Sequence, residues 1–539
     1  MTQHAPTTRD PADGSDHRPD RFAAGSVEAP AGPLRGDRTA LVIGAGFGGI
    51  ASALRLRAMG FDVTLADRLP ELGGRARVFN RDGFTFDAGP TVITAPYLLD
   101  ELFQLFGERL SDHVRLEPVW PWYRIAWEDG ASFDYGGDPD QMCEEIARFD
   151  RRDQDGYRAM LAQAQEIYRI GYEQLGDQPF DRLTDMVATI PDMIRLRTHR
   201  SMYSFVASHI RNERLRQVFT FQPLLVGGNP FHTSCIYGLI QPLEQRFGVY
   251  YAMGGTGAII NALAGLMDRV GIATQLNADI EKLETSGSRV TGAKLADGSR
   301  LGADVVVSNA DPVTLYREML GSGKRHARTR SRAKRMKLSM GLFVSYFGTS
   351  REYPELAHHT ILLSDRYKLL LEDIFRGGRI PDDPSIYLHA PTRTDPSMAP
   401  AGSECMYALA PVPNLSHGAD WDTTLERYEE LVLRRIENWV APGLRDSLAT
   451  CFSLTPKYFE TELRSPQGAG FSIQPTLTQS AYFRFHNRCP HYRNLFLVGA
   501  GTHPGAGIPG TLCTAKTMER AMRREGLVAN AHAEAGASR

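Results

Sequence analysis

The chain has 539 residues, more than one ordinary core organises and enough for two or three compact domains. Its 42% hydrophobic and 23% charged residues describe a soluble globular protein, and a formal net charge of −2 excludes any global pull towards nucleic acid or an anionic surface. The six cysteines are scattered, with no Cys-x-x-Cys pair and no metal-ligand spacing, which points to buried thiols in a reducing compartment and to no metal centre.

Residues 1–38 are rich in Pro, Asp, Ala, Gly and Arg and carry no apolar segment; they are expected to form a disordered tail rather than a secretory leader. The aliphatic run 39–43 then reads as a buried parallel strand, followed at once by Gly44-Ala45-Gly46-Phe47-Gly48-Gly49 and a helical pattern over 50–59. A second strand, 62–66, ends in Asp67. Strand, glycine turn, helix, strand and acid in fewer than 30 residues form a dinucleotide-binding fingerprint. Gly44 suits the tight turn, Gly46 lets the backbone approach a pyrophosphate, and Gly49 packs the helix onto the strand. The helix N-terminus offers N–H groups to phosphate, and Asp67 is spaced to accept hydrogen bonds from the adenosine ribose. Downstream, Gly73-Gly74-Arg75 follows the acid by six residues. It resembles the loop with which large flavoprotein oxidases and desaturases cover FAD, with Arg75 beside the diphosphate, so FAD is expected rather than a nicotinamide.

Two long uncharged runs, 218–243 and 247–267, are interrupted by Gln222, Gly227, Gly228, Pro230, Gly254, Gly255 and Asn261, which argues for buried elements and against membrane spans. Near the C-terminus a buried-strand pattern at 494–498 runs into the glycine- and proline-rich loop 499–510 and then a helical segment, 511–524.

Taken together these segments resemble the bacterial and fungal type of phytoene desaturase. The matching stretches are 42–49, 83–93 (Gly-Phe-Thr-Phe-Asp-Ala-Gly-Pro-Thr-Val-Ile), 225–230, 254–257, 308–311, 477–480 and the 499–510 loop. The resemblance spans residues 40 to 525. It implies an α/β protein with a Rossmann-type FAD-binding domain over 39–115, 248–315 and 485–539, of the glutathione-reductase and amine-oxidase kind. An interleaved α+β substrate domain over 116–247 and 316–484 would carry membrane-facing helices. It further implies Ile280 near the adenine and Gly499, Thr502, Gly507 and Ile508 as flavin-loop positions. Asp185, in the amphipathic stretch 181–197, matches a family position that carries a carboxylate, with a capping or solvated role as its alternative. His503 is a second catalytic candidate, with ordering of the loop the favoured role. The family reaction removes two hydrogens from a C–C bond and extends a polyene, so the site needs an apolar, aromatic-lined channel more than polar side chains. Aromatic candidates are Trp120, Trp122, Tyr123, Trp127, Tyr203, Phe205, Phe219 and Phe221.

A C40 hydrocarbon must be taken from a bilayer. The segment 324–337 carries eight Lys or Arg in fourteen positions, and 194–216 mixes six arginines with apolar residues. Both suit peripheral attachment to anionic lipid on the cytoplasmic side of a membrane, and 324–337 has a solvated helix face as its alternative. Nucleic acid is not expected as a partner. With only one complete fingerprint, electrons are expected to pass to a quinone or oxygen rather than to a nicotinamide, and the sequence sets no oligomeric state. Alternative readings are a later-pathway or C30 carotenoid desaturase, a carotene cis–trans isomerase, a small-substrate amine oxidase, and a prenyl-lipid escort without a working flavin site.

Overall fold

The computed structural model describes residues 38–528, so the tail expected over 1–38 lies, apart from Arg38, outside the described residues. A five-stranded, all-parallel sheet has the order Leu495–Leu497, Val305–Ser308, Thr39–Ile43, Asp62–Ala66, Ala273–Gln275. The adjacent strands Leu495–Leu497, Val305–Ser308 and Thr39–Ile43 are short, mostly aliphatic runs, buried but for Thr39, as a parallel sheet covered on both faces requires. The helices Phe47–Ala58 and Ile508–Arg524 pack on one face through Ile50, Leu54, Met518 and Met522. The strands Ile280–Ser286 and Arg289–Leu295 close over the other face. Ligands in such sheets bind outside the carboxyl ends of the strands, which here carry both glycine-rich loops.

The second sheet has seven strands in the order Leu448–Leu454, Gly341–Thr349, Glu404–Val412, Ile386–His389, His359–Leu362, Tyr123–Ala126, Ser132–Tyr135. Every pairing is antiparallel except that between His359–Leu362 and Tyr123–Ala126. The registers align Phe452, Tyr346, Tyr407, His389 and His359 as one cross-strand row of rings, and Tyr123 extends it. Because side chains alternate along each strand, this row stands on one face of the sheet. The opposite face is covered by the helix Trp421–Trp439 through Trp421, Tyr428, Val432 and Ile436.

No helix among the described residues is long and apolar enough to cross a membrane. The run 218–243 folds into short turns and the start of the helix Ile240–Phe247, and 247–267 ends in the helix Gly255–Arg269.

Candidate active site

The glycine turn that leaves Thr39–Ile43 is built as its composition requires. Gly44 has φ +95°, a left-handed backbone that side chains resist, and a Cβ on Gly49 would stand 1.8 Å from the Gly44 carbonyl oxygen. Gly46 caps the helix Phe47–Ala58 with no side chain over the first N–H groups and no acid in the first turn. Free donors and the positive end of the helix dipole therefore face a cavity of about 660 Å³, which Gly44 and Gly46 line. The helix Ile508–Arg524 opens on the same cavity from Gly507, again with no acid in its first turn.

Asp67 lies on the cavity wall at the end of Asp62–Ala66. Its carboxylate accepts from the Ala45 N–H at 2.6 Å and the Leu69 N–H at 2.8 Å, so it braces the glycine turn. One lone pair on each oxygen remains for a ribose hydroxyl. Burial pushes its pKa up, against those two hydrogen bonds. Gly74 and Arg75 line the cavity beside it. Arg75 donates from Nη2 to Ser465 Oγ at 2.7 Å, while its buried Nε has no partner. An unpaired guanidinium donor beside two open helix N-termini fits an acidic diphosphate. Ile280 and Gly499 also face the cavity, and the Ile280 carbonyl accepts from Arg464 Nη1. Thr502 lies beneath the surface, fully buried, donating to the Gly499 carbonyl at 2.9 Å; it shapes the loop from behind.

The two catalytic candidates separate. His503 is a wall residue, edge-on to Phe180 at 4.9 Å, and neither of its ring nitrogens has a hydrogen-bond partner. Burial, then Arg484 and His486, depress its pKa to about 3, so it stays a neutral imidazole. Asp185 is not brought to the cavity. It caps the helix Leu183–Arg195, accepting from the Arg182 N–H, and pairs with Arg524 at 3.2 Å. The residues of this helix that reach the cavity are Met186, Thr189, Asp192 and Met193. Of the eight aromatic candidates only Tyr123 and Phe221 line the cavity. Trp127, Phe205 and Phe219 are core, and Trp120 is 59% exposed.

Several functional groups escaped the sequence reading. Arg484, fully buried, donates to the carbonyls of Thr502 and Ala500 at 3.0 and 2.6 Å and holds the 499–510 loop in place. Glu244, on the helix Ile240–Phe247, is a buried carboxyl on the cavity wall, bonded by Tyr123 Oη at 3.0 Å and Tyr135 Oη at 3.1 Å. Its signal was available, since Glu244 is the first charge after the run 218–243. The hydroxyls of Thr91, Tyr387 and Tyr407 form a linked set on the sheet floor, and Tyr387 Oη reaches His359 Nδ1 at 2.8 Å. Behind them His358, His359 and His389 gather ligand nitrogens within 4.8 Å of one another. The cysteine spacing gave no hint of this set, which has the donors to hold a metal ion. Burial drives the pKa of each of the three below the usual histidine range.

Comparison with known proteins gives this arrangement a family. The family model for flavin-containing amine oxidoreductases matches residues 47–518. A lycopene-forming phytoene desaturase from Paracoccus sp. is 46% identical over 489 residues, covering 90% of this chain and 97% of the relative. A neurosporene-forming phytoene desaturase from Cereibacter sphaeroides is 41% identical, covering 89% and 94%. Among solved structures, cyclohexylamine oxidase from Brevibacterium oxydans superposes with a TM-score of 0.58 at 15% identity over 90% of this chain and 99% of its own, a likeness of fold. The glycine turns, the open helix ends and the unpaired Arg75 donor thus have a family to belong to: the chain is a member of the flavin-containing amine oxidoreductases, an FAD-dependent oxidoreductase of the bacterial carotenoid desaturase branch.

Proposed function

We propose that the protein dehydrogenates 15-cis-phytoene in successive steps towards neurosporene and lycopene. The observation that carries this reading is the continuity of one cavity. The wall that begins at the glycine turn continues through Phe221, Leu225, Ile236, Met340, Leu342 and Ile361 to a floor of rings. That is the section a long hydrocarbon needs beside a flavin.

Gly44, Gly46, Asp67, Arg75 and the start of Ile508–Arg524 would hold FAD, which when bound supplies the two-electron acceptor. The protein's own part is to align a C–C bond with that acceptor, exclude water and accept a proton. The rings of Tyr123, Phe221, Tyr387 and Tyr407 along the wall would favour positive charge developing on an allylic carbon held over a ring face.

Substrate entry from a bilayer is part of the proposal. Leu183, Val187, Ile190 and Ile194 form an exposed apolar ridge on the helix Leu183–Arg195, whose other side lines the cavity. Exposed Phe483 stands on the neighbouring turn, and its carbonyl accepts from Arg332 of the basic helix Ala327–Arg335. A ridge flanked by a basic helix suits a peripheral contact with the cytoplasmic face of a membrane. The arginines of 194–216 support it less, since Arg195, Arg214 and Arg216 pair with Glu166, Asp129 and Glu213. A quinone or oxygen would be the final acceptor of the electrons removed from the substrate.

The deciding experiment is incubation of FAD-loaded protein with phytoene in liposomes, with and without added quinone, and chromatographic identification of products. Longer polyenes are expected. Bound FAD with unchanged phytoene would overturn the reading.

A further inference from the structure

We propose that Glu244 is the proton acceptor of the dehydrogenation, a role that rests on the desaturase reading above. The cavity wall carries several carboxylates, and their partners distinguish them. Asp67 is held by two backbone N–H groups. Asp192 pairs with Arg195 and Asp279 with Arg464. Asp311 accepts from the Val313 N–H and lies near Arg75 and Arg484, and Glu462 is exposed at the rim. Glu244 alone combines full burial with only neutral partners, the Tyr123 and Tyr135 hydroxyls and the Gln222 amide.

Its position suits the role. The preceding residue, Leu243, packs in the same cluster as Ile508 and Leu512 of the flavin loop and its helix. Tyr123, which holds the carboxyl, belongs to the ring floor that would carry the polyene. Glu244 therefore stands between the cofactor end and the substrate floor, with no cation paired to it among the described residues. Burial with no cation beside it destabilises the ionised form, so the Glu244 carboxylate is a stronger base than a paired or solvated one. A base that must stay reactive in an apolar cavity gains its strength there.

The chemistry balances. Each dehydrogenation breaks C–H bonds on two adjacent carbons. One hydrogen leaves with its electron pair as a hydride to the flavin. The other leaves as a proton onto a Glu244 oxygen, and the pair it leaves behind becomes the second bond of the new C=C. The carboxylic acid returns its proton to water between turnovers.

Desolvation raises the Glu244 pKa to about 8. The groups packed around it are Tyr123 and Tyr135, then Tyr157 against Tyr135 and Tyr387 and His359 against Tyr123. The tyrosines are pushed above their ordinary range and His359 below its own, so none of them titrates near pH 8.

The test compares the wild-type holoenzyme with E244Q and E244D on phytoene in liposomes. For E244Q, kcat is expected to fall roughly 10²–10⁴-fold with FAD content and KM unchanged. The acid limb near pH 8 should vanish in E244Q and persist, displaced, in E244D. Infrared titration of the wild type should show a carboxyl band that shifts when phytoene fills the cavity, a readout that needs no folded variant. An E244Q enzyme within tenfold of wild type, an acid limb that survives the substitution, or a carboxyl band indifferent to phytoene would each overturn the proposal. A wild-type holoenzyme that binds phytoene without oxidising it would instead overturn the desaturase reading.

Discussion

The two ends of the cavity are built by different means. At the cofactor end the contacts are backbone: φ-positive glycines, two helix N-termini without acids, and loops that a Cβ would break. At the substrate end they are side chains from strands and helices far apart in sequence, such as Tyr123, Glu244, Ile361 and Tyr387. A backbone site constrains which residues are tolerated at consecutive positions, and so writes a motif. A side-chain site only requires that distant residues meet on one face of a sheet, and so writes none. Substitutions at the first end should act through cofactor binding, and at the second through chemistry.

The sharpest break of that contrast pairs Gly46→Val with Gly49→Ala. Gly46 lines the cavity where a pyrophosphate would lie, and a Cβ there would meet only the flexible Asn309 amide closely, its Nδ2 at 3.1 Å, with the Gly73 carbonyl at 3.9 Å. The variant should fold and lose FAD entirely, read as flavin absorbance after gel filtration. A methyl at Gly49 instead collides with the Gly44 carbonyl, so that variant should lose about 3 kcal/mol of stability with or without flavin. Equal FAD retention in Gly46→Val and wild type would place the cofactor elsewhere.

At the substrate end the same carboxyl should also show in stability against pH. The Glu244 pKa is raised from 4.5 to about 8 in the folded chain, so the folded state holds this proton more tightly than the unfolded state. The associated stability is complete below about pH 4.5 and is lost as pH rises through about 8. Relative to E244Q, the wild type should lose on the order of 4 kcal/mol across that window in denaturant titrations. The raised value of Asp87, about 6, is common to both proteins and cancels. A stability difference independent of pH would show that Glu244 is ionised, or exposed, throughout.

These contrasts also explain what the sequence made legible. The Rossmann turn, its flanking strands and the 499–510 loop could be read because each glycine answers a local steric demand. Phe205 and Trp127 could not be told from Phe221 and Tyr123, because all four are buried rings and only tertiary packing decides which face the cavity. The row from Phe452 through Tyr346, Tyr407 and His389 to His359 depends on strand registers that no local pattern encodes. The basic runs are visible as charge in the sequence, whereas the exposed apolar ridge from Leu183 to Ile194 is defined only by the packing of its helix. Val187→Asp or Ile194→Asp should each weaken binding to liposomes by about 2 kcal/mol, roughly 30-fold, and leave FAD content unchanged. Binding that is unaltered by both, yet abolished by salt, would shift the contact to the helix Ala327–Arg335.

The smallest effect expected is at Asp185, and it separates a family position from a cavity position. Its carboxylate is 24% exposed, turned towards Arg524 and the Arg182 N–H rather than the cavity. Asn at this site still accepts from that N–H, and Arg524 keeps its contact with Asp181 at 3.4 Å. What D185N removes is a partly solvated ion pair and an acid at a helix N-terminus, together about 0.5–1 kcal/mol. Product formation should stay within about twofold of wild type, since a carboxylate held outside the wall touches neither polyene nor flavin. A loss beyond tenfold at unchanged FAD content would mean that the helix Leu183–Arg195 turns inward when substrate enters, carrying Asp185 to the place here assigned to Glu244.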